Sequence, residues 1–106
     1  MNGAADRGNA ARPDHLVIED EPAEQRYEAR LGDRVVGFMD YRRIGGRVVF
    51  FHTEVDPAFE GRGIGGRLAA GTLDDIRARA LRITVKCPFL AAYLERHPGY
   101  DDLRAR

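Results

Sequence analysis

A single cysteine, Cys87, stands among the 106 residues, so no internal disulfide framework can form and a reducing compartment is the expected setting. Net charge is missing as well. Seventeen basic residues balance 17 acidic ones, which removes the global electrostatic footprint of a nucleic-acid binder and leaves room only for a local patch. No apolar run approaches the roughly 20 residues that span a bilayer, and the first residues lack the apolar stretch of a signal peptide. No nucleic-acid or membrane partner is therefore expected, and the expected location is cytoplasmic. Without a Gly-Lys-Ser/Thr the chain has no Walker phosphate loop, and it shows neither an internal repeat nor a low-complexity tract. A chain of this length has room for one domain with an independent core.

What is present is organised around Phe50 to Arg67. An apolar, β-branched run ends at Asp56-Pro57, and Gly61, Gly63, Gly65 and Gly66 then open an amphipathic helical pattern. Glycines let a ligand approach the main chain. The first N–H groups of the following helix have no internal partner and carry the positive end of its dipole, so they suit an anion such as a pyrophosphate. Arg62 and Arg67 add positive charge beside them. A plain strand-to-helix connection uses the same residues, so the run alone leaves both readings open.

The rest of the chain supplies the context. Residues 1–14 hold no large apolar side chain after Met1 and are expected to form a disordered leader, with 15–106 as the single domain. His15 to Glu19, with the apolar triplet Leu16-Val17-Ile18, reads as a first short strand closed by the acidic run Glu19-Asp20-Glu21-Pro22. Gln25 to Leu31 alternates Tyr27, Ala29 and Leu31 against Arg26, Glu28 and Arg30, the pattern of a half-buried strand. Gly32-Asp33 turns the chain into the strand Arg34 to Tyr41 and Gly45-Gly46 turns it again into Val48 to Val55, which makes the first half an antiparallel meander. Gly63 to Arg79 places Ile64, Leu68, Ala69, Leu73, Ile76 and Ala80 on one side of a helix. Leu81 to Lys86 is a strand able to lie parallel to the one ending at Val55. Pro88 starts a second helix that stops at His97-Pro98-Gly99. Tyr100 and Leu103 in the tail are expected to pack back on the body. The fold class is α/β: a mixed, mainly antiparallel sheet with a long helix after the glycine loop and a short one near the carboxyl end.

Two polar side chains stand out as chemistry. Cys87 lies between a strand and a helix at the N-cap position, beside Lys86, where the dipole and free N–H groups favour a thiolate; a small buried hydrophobe is the other reading. His52 shares a face with Glu54 by period-two alternation, on the strand expected to run beside the one ending at Cys87. It is a candidate general base with Glu54 orienting it, or a histidine satisfied within the sheet. Gly61, Gly63 and Gly66 also spell Gly-x-Gly-x-x-Gly, but three hairpin-linked strands precede them and the next strand ends in Lys86 rather than an acid, which disfavours a dinucleotide site.

Three segments in this order, His52-Thr53-Glu54-Val55, Pro57 to Leu68, and Lys86-Cys87-Pro88-Phe89-Leu90 with Arg96-His97-Pro98-Gly99-Tyr100, resemble the Gcn5-related N-acetyltransferase (GNAT) superfamily. The likeness is to its compact, single-domain YjdJ-type branch. It implies an acetyl-CoA-dependent N-acetyltransferase acting on a primary amine, with acetyl-CoA as cosubstrate and no metal. By the same resemblance, Gly61, Arg62, Gly63, Ile64, Gly65 and Gly66 hold the pyrophosphate and the Val55 main chain pairs with the pantetheine arm. Cys87 is implicated in a covalent thioester, with His52 as base. Two departures stand in this chain. Glu60 replaces the Gln or Arg that opens the family's glycine pattern, and Tyr93 is one residue out of step with the usual general-acid tyrosine, Leu94 holding that place. The alternative is a CoA-binding or protein-interaction module with little turnover.

Overall fold

Left-handed backbone at two glycines decides where the chain reverses. Gly32 and Gly45 have φ of 62° and 63°, the region that tight hairpin turns demand. They join β2 (Arg26–Leu31), β3 (Arg34–Ile44) and β4 (Arg47–Val55) into the expected meander. In this computed structural model residues 15–105 are described; the leader expected over 1–14, and residue 106, lie outside them. The first strand, β1 (Val17–Glu21), runs on through the acidic stretch and pairs antiparallel with β2. It does so because Ile18 packs on the core side while Glu19 and its alternating neighbours remain near solvent.

The sheet is completed by β5 (Arg82–Val85), which lies parallel to β4 in the strand order β1-β2-β3-β4-β5. Helix α1 (Ile64–Ala78) makes the crossover and α2 (Pro88–Arg96) follows β5. Both helices contribute to one core: Ile64, Leu68, Leu73 and Ile76 of α1 and Leu90 and Leu94 of α2 join Tyr27, Met39, Tyr41, Phe50 and Ile83 of the sheet. Leu103 and Tyr100 pack on this core as expected. Ala80 is a correction. Periodicity placed it on the buried side of the helix, yet it lies beyond the end of α1, exposed, with φ of 57°. Left-handed backbone of that kind ends a helix.

The opposite face of the sheet meets water, as antiparallel sheets commonly allow. Arg26 and Arg30 close over Glu28 with hydrogen bonds of 2.8 Å and 2.6 Å, which leaves that carboxylate buried but doubly paired.

Two irregularities in β4 matter for function. Tyr41 pairs with Phe50 and Asp40 with His52, so Phe51 is an extra, unpaired residue, a β-bulge. The ladder to β5 also ends at the Phe50–Val85 pair, closed by Lys86 N donating to Phe50 O at 2.8 Å. From Phe51 to Val55 the side of β4 away from β3 runs beyond that ladder.

Candidate active site

The glycine run separates into parts with different duties. Gly61 and Gly63 have φ of 80° and 75°, and a Cβ on either would meet no atom within 4 Å. Their backbone therefore needs glycine and lies open to a ligand. Gly65 and Gly66 sit inside α1 without left-handed backbone. Gly63 is the N-cap of α1, with no side chain capping it and no acidic residue in the first turn. The leading amides of α1 are thus left for an external acceptor, which is the arrangement a pyrophosphate requires. Ile64 is buried in the core and offers only its main chain to this place.

A brace holds the loop that feeds the glycines. Asp56 accepts from Ala58 N at 2.9 Å and from Arg34 at 2.7 Å, contacts that hold its carboxyl below the usual range, the backbone bond foremost. The guanidinium groups of Arg34 and Arg62 lie 5.0 Å and 5.2 Å from the centre of the Phe59 ring. Arg62 is therefore held beside the loop, while Glu60 and Arg67 are exposed around it.

Cys87 is the N-cap of α2, with Pro88 following it and no side-chain hydrogen bond of its own to the helix. It is buried, and its Sγ lies 3.1 Å from Thr53 Oγ1. Thr53 comes from β4 just past the bulge, where the strand has left β5. Sequence reasoning passed over Thr53. The bulge at Phe51 shifts the alternation by one, so Phe50 and Thr53 both face the helices, and this shift has no signal in the residues themselves.

His52 is correspondingly turned to the solvent face. Its Nε2 is 2.8 Å from Glu54 Oε2, the pairing expected from alternation, and its ring meets Phe38 edge-on at 6.2 Å. The structure brings His52 to Glu54 and not to Cys87, so the expected partnership of His52 with the thiol is not realised. Val55 pairs with Gly37 on one side and lies beyond the end of the β5 ladder on the other. Tyr93, the residue out of step with the usual general-acid tyrosine, is buried and stacked on His97 at 3.9 Å. Burial first, and then Asp74, push its hydroxyl above the ordinary tyrosine range. Its neighbour Phe89 is instead partly exposed.

The bulged end of β4, the uncapped glycine start of α1 and the thiol at the head of α2 are thus brought together, through Thr53 against Cys87 and Gly65 against Phe89. A family model described as GCN5-related N-acetyl-transferase matches residues 26–103. The chain belongs to the GCN5-related N-acetyltransferase family. Protein NATD1 of Bos taurus is 32% identical over 100 residues, spanning 91% of this chain and 82% of that protein. Protein NATD1 of Homo sapiens is 31% identical over the same shares. Among solved structures, a GCN5-like protein of Staphylococcus aureus determined by NMR superposes with a TM-score of 0.64, covering 85% of this chain and 88% of that one. At 24% identity the superposition shows the GNAT fold. Among the described residues no group of acidic, histidine or cysteine side chains is placed to hold a metal, and no helix is long and apolar enough to cross a membrane.

Proposed function

We propose that this protein transfers an acetyl group from acetyl-CoA to a primary amine, with Cys87 as acyl acceptor. The observation that carries the reading is the convergence of two helix starts: the uncapped glycine N-terminus of α1 and the Cys87 N-cap of α2, at the place where β4 leaves β5. Gly61 to Gly66 would hold the pyrophosphate on main-chain amides, and the free edge of β4 through Val55 would pair with the pantetheine arm. The Cys87 thiol would give up its proton to water and its sulfur would attack the acetyl carbonyl, forming a new thioester as the carbon–sulfur bond to CoA breaks and the CoA thiolate takes a proton back from water. The amine, once deprotonated, would attack the acetyl-Cys87 and restore the thiol. Holding thioester and nucleophile together supplies most of the gain. A reducing compartment such as the cytoplasm keeps this thiol free.

A specific observation supports a second course. Cys87 is buried at the head of α2, while the His52–Glu54 pair is exposed on the face of β4 turned away from it. In direct transfer His52 would take the proton of the incoming amine with Glu54 orienting the ring.

Intact-mass measurement after incubation with acetyl-CoA separates the two. The covalent route requires a hydroxylamine-labile acetyl adduct on the parent protein and none on Cys87→Ala, which should also lose acyl transfer. Amine-dependent release of CoA by Cys87→Ala at the parental rate would establish direct transfer. Binding of acetyl-CoA with no CoA release by either protein, across a panel of amines, would leave a binding module.

A further inference from the structure

Gly65 has no backbone reason to be glycine. It lies in the first turn of α1 without left-handed φ, in contrast to Gly61 and Gly63. What favours its small size is Phe89: a Cβ on Gly65 would fall 2.8 Å from Phe89 Cζ, closer than such atoms approach, with Cε1 in tight contact at 3.2 Å. The methyl group of an alanine there would strike the ring, whereas one at Gly61 or Gly63 would stand in open space.

Phe89 itself is unusual in place. It is 37% exposed, one of four large apolar side chains that are exposed among the described residues, and it stands two residues after Cys87 in the first turn of α2. The tip of its ring is seated on the glycine helix, and over a third of the side chain is left to solvent. The ring therefore bridges the two helix starts that the proposed donor must span, one for phosphate and one for the thioester. The link between those ends of an acyl-CoA is an extended arm of methylene and amide groups, and burying its methylenes against a ring is favourable.

We infer that Phe89 is a donor-positioning residue: its ring, seated on Gly65, is the apolar wall against which the pantetheine arm of an acyl-CoA packs, and Gly65 is glycine in order to seat that ring. This rests on the acetyl-CoA reading above. The seat gives the ring one position, so the spacing between the phosphate amides and Cys87 is held before the donor arrives.

Calorimetric titration of the full chain with CoA and with adenosine 3′,5′-bisphosphate, which lacks the arm, tests this. Phe89→Ala should weaken CoA binding about tenfold, the worth of a partly buried aromatic contact, and leave the bisphosphate unchanged. Phe89→Leu should restore part of the loss. Gly65→Ala should weaken CoA in the parent background and have no further effect in Phe89→Ala. Parental CoA affinity in both Phe89 variants overturns the inference while the donor reading stands, as does a Gly65→Ala penalty undiminished by Phe89→Ala. Equal loss of CoA and bisphosphate overturns it too, since that is general damage to the loop. A parent protein that binds no CoA overturns the donor reading and the wall with it.

Discussion

Thr72 and Thr53 show how two residues of one type in one core serve different ends. Thr53 Oγ1 has a sulfur to meet, 3.1 Å away. Thr72 is fully buried on α1, and its hydroxyl has no hydrogen-bond partner. Leaving a buried hydroxyl unmatched is costly, and valine has the same shape without the polar atom. Thr72→Val should therefore raise stability by about 1 kcal/mol in urea unfolding with an unchanged denaturant slope. A loss of stability would mean that the hydroxyl finds a partner such as a water. Thr72 falls just off the apolar stripe read from the sequence, and its hydroxyl gives no sign there of being buried.

The packing of α1 on the sheet turns on a close approach of the same kind as that at Gly65. A Cβ on Gly71 would lie 2.7 Å from Ile18 Cγ1 and 2.8 Å from its Cβ, so helix and first strand approach closely at this glycine. Gly71→Ala gains about 1 kcal/mol of helix propensity but overpacks at a cost of about 1–3 kcal/mol, and the net expectation is a destabilisation of up to about 2 kcal/mol. With Ile18→Ala added, the combined loss should be smaller than the sum of the two single losses, a coupling that a double-mutant cycle in urea measures. Additive losses would place the cost elsewhere. That α1 exists was legible from its stripe of Ile64, Leu68, Leu73 and Ile76. Which β-strand it rests on was not, because a glycine in a helical pattern reads the same whether it faces a neighbour or water.

Across the molecule, tyrosines tie separate elements together, sheet to α1, strand to strand and tail to α1, and set the alkaline limit. Tyr27 donates to Asp75 at 2.6 Å, Tyr41 to Asp20 at 2.6 Å and Tyr100 to Asp74 at 2.8 Å. Burial, followed by these bonds, raises Tyr27 and Tyr41 well above the ordinary tyrosine value; the bond to Asp74 leads in pushing Tyr100 up to about 12. A raised pKa stabilises the folded state fully below the unfolded value of about 10 and loses that contribution as pH climbs through the folded values. Melting temperature should therefore hold steady to about pH 9.5 and fall steeply above pH 10. Tyr41→Phe should melt lower at neutral pH yet fall less at pH 11. A parent curve that stays level to pH 12 would contradict the assignment.

Much of the architecture follows from local chemistry. Alternation at Tyr27, Ala29 and Leu31, the turns at Gly32 and Gly45, and Pro88 after Cys87 mark strands, reversals and a helix start, since each acts through its own residue and near neighbours. Those local signals were enough to identify the family, and they placed His52 beside Glu54 and Cys87 at an N-cap. Which residues meet at the site depended on long-range register. The unpaired Phe51 moves Thr53 to the thiol and turns His52 away, and the Phe89 ring falls on Gly65. A bulge and an interhelical contact are settled by packing between segments distant in the chain, and no single stretch carries that information.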